Sequence, residues 1–234
     1  MAEWLVRHFV KNYDNVEDIQ VRTQYGVLSS MVGIFCNLLL FAVKLTVGAL
    51  IRSISVMADA FNNLSDAASS IISFVGVKMA EKPADADHPF GHGRIEYISA
   101  FIVAFLVIQV GFSLFKSSIG KIREPEQMVF HLVSVGILLV SVLVKLWLGL
   151  FNRKLGKRIQ SSVMMATSAD SMGDVLTTCS TIVSLLVFGI FGWNVDGWIG
   201  LLVSLAVMLA GFNIAKDTLA PLIGEAIDPE VYQK

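Results

Sequence analysis

Long apolar stretches recur along almost the whole chain, each of about the length that crosses a bilayer. A membrane-spanning helix needs about 20 mainly apolar residues, and six stretches qualify if a few polar residues are tolerated. Charged residues make up only 16% of the chain, against about 25% in soluble domains. The pattern predicts an all-α integral membrane protein with six transmembrane helices, at residues 27–51, 54–79, 95–119, 129–151, 161–190 and 196–217.

The basic residues predict how these helices are oriented. Cytoplasmic loops carry an excess of lysine and arginine, and an inside N-terminus places twelve basic residues in the cytoplasm against four outside. Both termini are then cytoplasmic. We expect residues 1–26 to form an amphipathic cytoplasmic lead-in, 27–217 the transmembrane domain and 218–234 a cytoplasmic exit segment. The net charge of −1 gives no support to a nucleic-acid partner.

The second and fifth stretches carry acidic residues where apolar ones are expected. Ionisable groups inside a membrane helix are costly and usually face the interior of the bundle. Asn62 and Asp66 are four residues apart, as are Asp170 and Asp174, so each pair projects from one face of its helix. Asp59 falls on the same face as Asn62 and is a weaker candidate, either for a direct role or as a charge at a pore mouth.

The two pairs are expected at matching depth in the membrane. At about 1.5 Å per residue, both lie roughly 12–20 Å into an apolar core about 30 Å thick. Ionised carboxylates crowded there repel one another, and a divalent cation between them relieves the repulsion. Protons must replace the cation when it leaves, so metal release and proton uptake are coupled. We interpret the four residues as a metal site rather than as hydrogen bonds that only join helices.

A second group of possible metal ligands lies in the loop at residues 80–94. Asp85, His88 and His92 lie close together in the stretch DADHPFGHGRIE, and carboxylates with imidazoles bind zinc-like or manganese-like ions. The alternative is an ordinary turn, because aspartate, proline and glycine are common turn residues.

Two lysines also lie inside predicted spans, Lys44 in the first and Lys145 in the fourth. Such residues pair with a carboxylate or extend to the membrane interface. Lys44 is far from both ends of its span, and Asp59 is its candidate partner. Lys145 is close to the predicted cytoplasmic end of its span, so we expect it to extend to the interface.

These motifs resemble those of the cation diffusion facilitator family of metal/proton antiporters. The resemblance covers essentially the whole chain and includes the span-two motif ending in Asp66, the Asp170/Asp174 pair and the string HPFGHGRIE. It implies a homodimer that alternates between inward- and outward-open states and exports a divalent cation in exchange for protons. It implies Asn62, Asp66, Asp170 and Asp174 as transport-site ligands, and Asp85, His88 and His92 as the loop site of some members.

The ligand types indicate the cargo. Zinc-transporting members typically place a histidine among the four central ligands, whereas this chain has none there. Hard oxygen donors suit Mn²⁺, and the all-oxygen ligand set resembles that of the manganese-type branch of the family. Fe²⁺, Zn²⁺, Co²⁺ and Cd²⁺ are the alternative cargoes. An intramembrane metal-dependent hydrolase is the alternative from another class, but we identify no nucleophile with a partner. A purely structural or receptor-like bundle leaves the matched acidic pairs unexplained.

The resemblance also carries expectations about location and neighbouring segments. The membrane is expected to be a bacterial inner or plasma membrane. Family members usually continue into a soluble cytoplasmic domain after the sixth span. We expect either that residues 218–234 end a transmembrane domain cut short of it or that the protein lacks that domain, and we favour the first. The family also has charge contacts that tie the cytoplasmic end of the third span to the chain beyond the sixth. By that resemblance we expect Arg94 to pair with Glu225 or Asp228.

Overall fold

The computed structural model describes residues 2–50, 54–124 and 132–223. All regular secondary structure in these ranges is helical, as the sequence predicts. The helices are α1 (Ala2–Phe9), α2 (Ile19–Leu50), α3 (Ile54–Ala80), α4 (Arg94–Arg123), α5 (Leu132–Ile159), α6 (Ser162–Phe191) and α7 (Asp196–Ile223).

Five of the described helices are long and apolar enough to cross a membrane: α2, α4, α5, α6 and α7. The sixth long helix, α3, has 27 residues and is therefore about 40 Å long. Its central segment contains the polar run Asn62, Asn63, Ser65 and Asp66, which lowers its hydropathy. Length does not distinguish α3 from the other five, but composition does.

The largest differences from the expected helix boundaries are at the start of α2 and the end of α5. The first long helix begins at Ile19 rather than at residue 27, and the basic stretch at 152–158 is the last part of α5 rather than a connection. Packing explains both extensions. Tyr25 is fully buried, its hydroxyl donates to the carbonyl oxygen of Tyr13 at 2.9 Å, and the Arg158 guanidinium lies 5.6 Å from the centre of its ring.

The helices pack so that α6 lies among most of the others. The most extensive contacts join α2 with α3, α4 with α7 and α5 with α6, and α6 also contacts α3, α4 and α7. Close packing of α4 against α7 depends on glycine. A Cβ atom at Gly211 would come 3.1 Å from the backbone nitrogen of Ile108, so a small residue is needed where these two backbones meet.

The connection between α6 and α7 is as short as the sequence indicates. The last helical residue of α6 is Phe191, and Gly192 follows in the left-handed conformation with φ of 70°, which glycine adopts without steric cost. The next helix begins at Asp196. This tight turn holds α6 and α7 as neighbours.

Candidate metal site

Three helices bring four charged side chains together in the interior. Asp66 comes from α3, Asp170 and Asp174 come from α6, and Lys145 comes from α5. We call these four residues the central cluster. The two aspartates of α6 are one turn apart on one face, and that face meets α3 and α5, which both contact α6.

The lysine lies between two of the carboxylates. Lys145 Nζ is 2.5 Å from Asp66 Oδ2 and 2.6 Å from Asp174 Oδ2. The Asp170 carboxylate interacts electrostatically with the other three members of the cluster. The Lys145 side chain is only 5% exposed, so these charges interact with little screening by water.

Hydrogen bonds between helices fix the register of the cluster. The hydroxyls of Ser73 on α3 and Thr167 on α6 are 2.9 Å apart. Ser168 Oγ donates to the carbonyl oxygen of Gly149 at 2.8 Å, which ties α6 to α5. Both contacts are buried and lie within a turn or two of the charged residues, so they limit sliding of the three helices past one another.

The position of Lys145 corrects the expectation that it extends to the interface. Because α5 continues to Ile159, Lys145 is about 20 Å from the end of its helix. Leu148 and Phe151, which follow one and two turns later on α5, are almost fully buried, so protein rather than solvent surrounds this part of the helix. Instead of extending to the membrane interface, the Lys145 ammonium is compensated by contact with two carboxylates in the interior.

Asn62 is placed differently from the three aspartates. It lies one turn before Asp66 on α3 and is exposed. The next residue, Asn63, is buried, and the side-chain amide of Asn63 donates to the backbone carbonyl oxygen of Asp59 at 3.1 Å. The structure therefore brings Asp66 and Asp174 together on Lys145, with Asp170 near enough to interact electrostatically with them, and leaves Asn62 exposed one turn from Asp66.

Asp59 pairs with the lysine that the sequence suggested. Lys44 Nζ lies 2.8 Å from Asp59 Oδ2, and the lysine side chain is 3% exposed against 30% for the aspartate. The contact joins α2 to α3. Asp59 and Asp66 are two turns apart on α3, about 10 Å along the axis, so this pair is separate from the central cluster.

The loop cluster, which consists of Asp85, His88 and His92, is also assembled. Within the described ranges it is the one group of three or more histidine, cysteine or acidic residues whose ligand atoms all lie within 4.8 Å of one another. Asp85 Oδ1 accepts hydrogen bonds from the backbone nitrogens of His88 at 2.7 Å and Asp87 at 3.1 Å. His92 Nε2 lies 3.6 Å from Asp85 Oδ2. Asp85 thus shapes the turn and also faces both imidazoles.

Hydrogen bonding perturbs the aspartate of the loop cluster. The backbone N–H of His88 is the main cause that lowers the pKa of Asp85, and the side chains of His88 and His92 act in the same direction. The lowered pKa favours the ionised carboxylate, which is the form that a metal ligand requires. The expected contact of Arg94 with Glu225 or Asp228 lies outside the described residues.

Comparison with known proteins identifies the family. Residues 30–223 match the cation efflux transmembrane domain. An uncharacterized transporter of Methanocaldococcus jannaschii is 31% identical over 86% of this chain and 70% of its own length. Two manganese efflux system proteins of Bacillus subtilis are also similar: MneS is 26% identical over 82% of this chain and 67% of its own length, and MneP is 28% identical over 91% and 74%.

These matches confirm the resemblance to the cation diffusion facilitator family. They also confirm that the chain is not an enzyme, because the family consists of transporters, and they remove the hydrolase alternative. The five apolar helices agree with residence in a membrane. This chain belongs to the cation efflux, or cation diffusion facilitator, family of multi-pass membrane proteins that transport divalent metal ions.

Proposed function

We propose that this protein is a Mn²⁺/H⁺ antiporter that exports Mn²⁺ from the cytoplasm by alternating access. The observation that carries the proposal is the central cluster, in which three aspartates from two helices converge in the bundle interior. Six spans are proposed, with α3 as the crossing helix that carries the ligands, and both termini are placed in the cytoplasm. In the domain division that we propose, residues 27–217 transport the ion, 1–26 lead in and 218–234 lead out.

Asp66, Asp170 and Asp174 are the proposed carboxylate ligands, and Asn62 supplies a fourth oxygen. Asn62 is exposed and one turn from Asp66, so a small rotation of α3 or a change of rotamer brings its amide oxygen to the carboxylates. Mn²⁺ is bound through carboxylate, carbonyl and water oxygens. Waters or backbone carbonyls complete the shell in this proposal.

The choice of Mn²⁺ depends on ligand chemistry. All four proposed ligands offer oxygen, whereas Zn²⁺ sites are usually built with nitrogen or sulfur. Two similar proteins are named as manganese efflux system proteins, and we extend that cargo to this chain. Fe²⁺ follows Mn²⁺ directly in the affinity series and is the nearest competitor, ahead of Zn²⁺, Co²⁺ and Cd²⁺.

Proton coupling follows from the surroundings of the carboxylates. Asp66 is buried and Asp170 partly buried, so the carboxylates that release a divalent ion gain little compensation from water. Protons taken from the outer side replace the metal and are delivered inside when the next ion binds. The inward proton gradient thereby drives export.

Assembly and location complete the proposal. We propose a homodimer in a bacterial plasma membrane, by extension from the family. We also propose a secondary metal contact on the cytoplasmic side at the loop cluster, supported by its three ligand atoms within 4.8 Å. Asp59 is assigned to the pair with Lys44 rather than to the metal.

The test is transport by the purified protein in proteoliposomes, with an ion panel and an imposed pH gradient. Mn²⁺ uptake into the vesicles through inside-out molecules should scale with the gradient, stop when the gradient is collapsed and exceed the flux of Zn²⁺, Co²⁺ and Cd²⁺. Protein-free vesicles and the Asp174→Ala variant are the controls. Metal flux that does not depend on the gradient would contradict antiport, and a preference for Zn²⁺ would contradict the cargo.

A further inference from the structure

The ammonium of Lys145 occupies the space between two of the proposed metal ligands. Its nitrogen lies 2.5 Å from Asp66 Oδ2 and 2.6 Å from Asp174 Oδ2, so it bridges α3 and α6. A divalent cation that binds the same two oxygens must lie in nearly the same place. The two cations repel each other and need the same lone pairs, so metal binding requires the ammonium to move.

We propose that Lys145 is a tethered competitor that lowers the affinity of the site for its cargo and speeds release. The inference rests on the proposed function, because it requires Asp66 and Asp174 to bind the transported ion. The apparent affinity of a site falls by the fraction of time for which it is competent to bind. A side chain anchored beside the site competes at a high effective concentration, which does not change with the salt around the protein.

A transporter gains from such competition. Three carboxylates in surroundings of low dielectric attract a divalent cation strongly, and an ion held too tightly is released slowly. The returning ammonium satisfies Asp66 and Asp174 as the metal leaves, so those two carboxylates are not left unpaired in the interior. Lys145 therefore shortens the time that the ion stays bound.

The charge balance also suits a divalent cargo. Three carboxylates against one ammonium leave two negative charges in excess when all four groups are ionised. A divalent ion neutralises that excess if the displaced ammonium stays close, whereas a monovalent ion does not. Lys145 thus sets the charge of the cluster to match the cargo as well as competing with it.

A buried acceptor without a hydrogen-bond partner is present on α2, a helix that packs against α5. Asn37 is 2% exposed, and its Oδ1 has no hydrogen-bond partner among the described residues. Its neighbour Cys36 is close enough to Lys145 to interact electrostatically with it, and α2 packs against α5. We assign Asn37 Oδ1 as the acceptor that receives Lys145 when the metal binds, because a buried carbonyl oxygen without a donor is otherwise costly.

The experiment measures Mn²⁺ binding to the full chain in nanodiscs by titration calorimetry at fixed pH and salt. Lys145→Met, which keeps the length of the side chain without its charge, should bind Mn²⁺ about tenfold more tightly and turn over more slowly in proteoliposomes. Lys145→Arg retains the charge and should stay near the wild-type affinity. The control is Lys121→Met, which removes a different lysine–aspartate contact and should leave Mn²⁺ binding unchanged. In that contact Lys121 Nζ lies 2.7 Å from Asp196 Oδ2.

The sign of the change separates competition from a structural role. If Lys145 only stabilises the bundle, Lys145→Met weakens binding, and either weaker or unchanged affinity overturns the proposal. Lys145→Gln is the second variant if the methionine protein does not fold, because glutamine still hydrogen-bonds to carboxylates. We expect Lys145→Gln to raise the affinity for Mn²⁺ by the same amount, and an affinity that does not rise overturns the proposal.

A double-mutant cycle tests the role of Asn37. Asn37→Leu should lower Mn²⁺ affinity when Lys145 is present and have no effect in the Lys145→Met background, because Asn37 acts only through the lysine. Equal losses in both backgrounds overturn the assignment of Asn37.

The proposed function is tested separately by Asp174→Ala. Normal Mn²⁺ binding in that variant refutes the proposed metal site itself. Lost binding in that variant, without a gain in affinity in Lys145→Met, refutes only the role of Lys145 as a competitor.

Discussion

Two buried lysines contact aspartates in this bundle, and the two contacts differ in charge balance. Lys44 meets one carboxylate, Asp59, whereas Lys145 meets Asp66 and Asp174 and interacts with Asp170 as well. The first is a neutral pair that needs no further partner. The second retains excess negative charge, which costs free energy in the interior unless a cation or protons compensate it. We expect the imbalance, rather than the presence of charge, to mark the proposed ion site.

The largest expected effect is on transport of Mn²⁺, and it distinguishes two aspartates of α3, Asp66 and Asp59. Asp66→Ala should reduce Mn²⁺ transport by about 100-fold or more, beyond the 10–100-fold typical of residues that only support a ligand. Asp59→Ala should retain most of the transport, because Asp59 lies about two turns away and pairs with Lys44. Initial rates in proteoliposomes measure both. Equal losses in the two variants would remove the distinction between the contacts.

The second effect compares the two lysines directly. Lys145→Met should raise Mn²⁺ affinity about tenfold, as argued above, and Lys44→Met should leave it unchanged. Both substitutions remove one buried ammonium, so the comparison isolates the position of the charge. Calorimetric titration of the two variants side by side is the measurement. A gain in affinity from Lys44→Met would show that the field of any buried lysine is responsible.

The third effect concerns stability and belongs to the Lys44–Asp59 pair. Breaking a buried ion pair costs about 3–5 kcal/mol, and the 30% exposure of Asp59 reduces the expected loss for Lys44→Met to about 1–3 kcal/mol. The double variant Lys44→Met/Asp59→Leu should recover most of it, since both partners become apolar. Unfolding in detergent with increasing denaturant measures the change. No recovery in the double variant would argue that the pair has a role other than mutual neutralisation.

The smallest expected effect concerns the residue at the edge of the central cluster. Asn62→His replaces an oxygen donor by nitrogen and should move the preference from Mn²⁺ toward Zn²⁺ by several-fold, about the amount that one ligand contributes to selectivity. A competition assay with both ions reports the ratio. An unchanged ratio would exclude Asn62 from the coordination sphere and leave the three aspartates as the protein ligands.

Several features of the site are predictable from the sequence for clear physical reasons. Two carboxylates four residues apart must share a helix face, so the pairing of Asp170 with Asp174 follows from spacing alone. The pairing of Lys44 with Asp59 is predictable because Lys44 lies far from both ends of its span and needs a partner in the interior. The three residues of the loop cluster lie within a stretch of eight residues, and a turn is enough to bring them together.

The position of Lys145 was not predictable in this way. Spacing places it on α5 but does not show which face of α5 meets α6, and the basic stretch after it suggested that the helix ends earlier than Ile159. A signal was nevertheless present: Ser141, Lys145, Leu148 and Asn152 recur at helical spacing, and all four are buried. A lysine in a buried stripe that also contains serine and asparagine indicates an interior partner rather than the interface.

The most direct test of the central claim locates the ion. Crystals of the protein soaked in Mn²⁺, measured at the manganese absorption edge, should show an anomalous peak among Asp66, Asp170 and Asp174, with the Lys145 ammonium moved from its place between two of the carboxylates. A peak confined to Asp85, His88 and His92, with Lys145 Nζ still 2.5 Å from Asp66, would contradict the account.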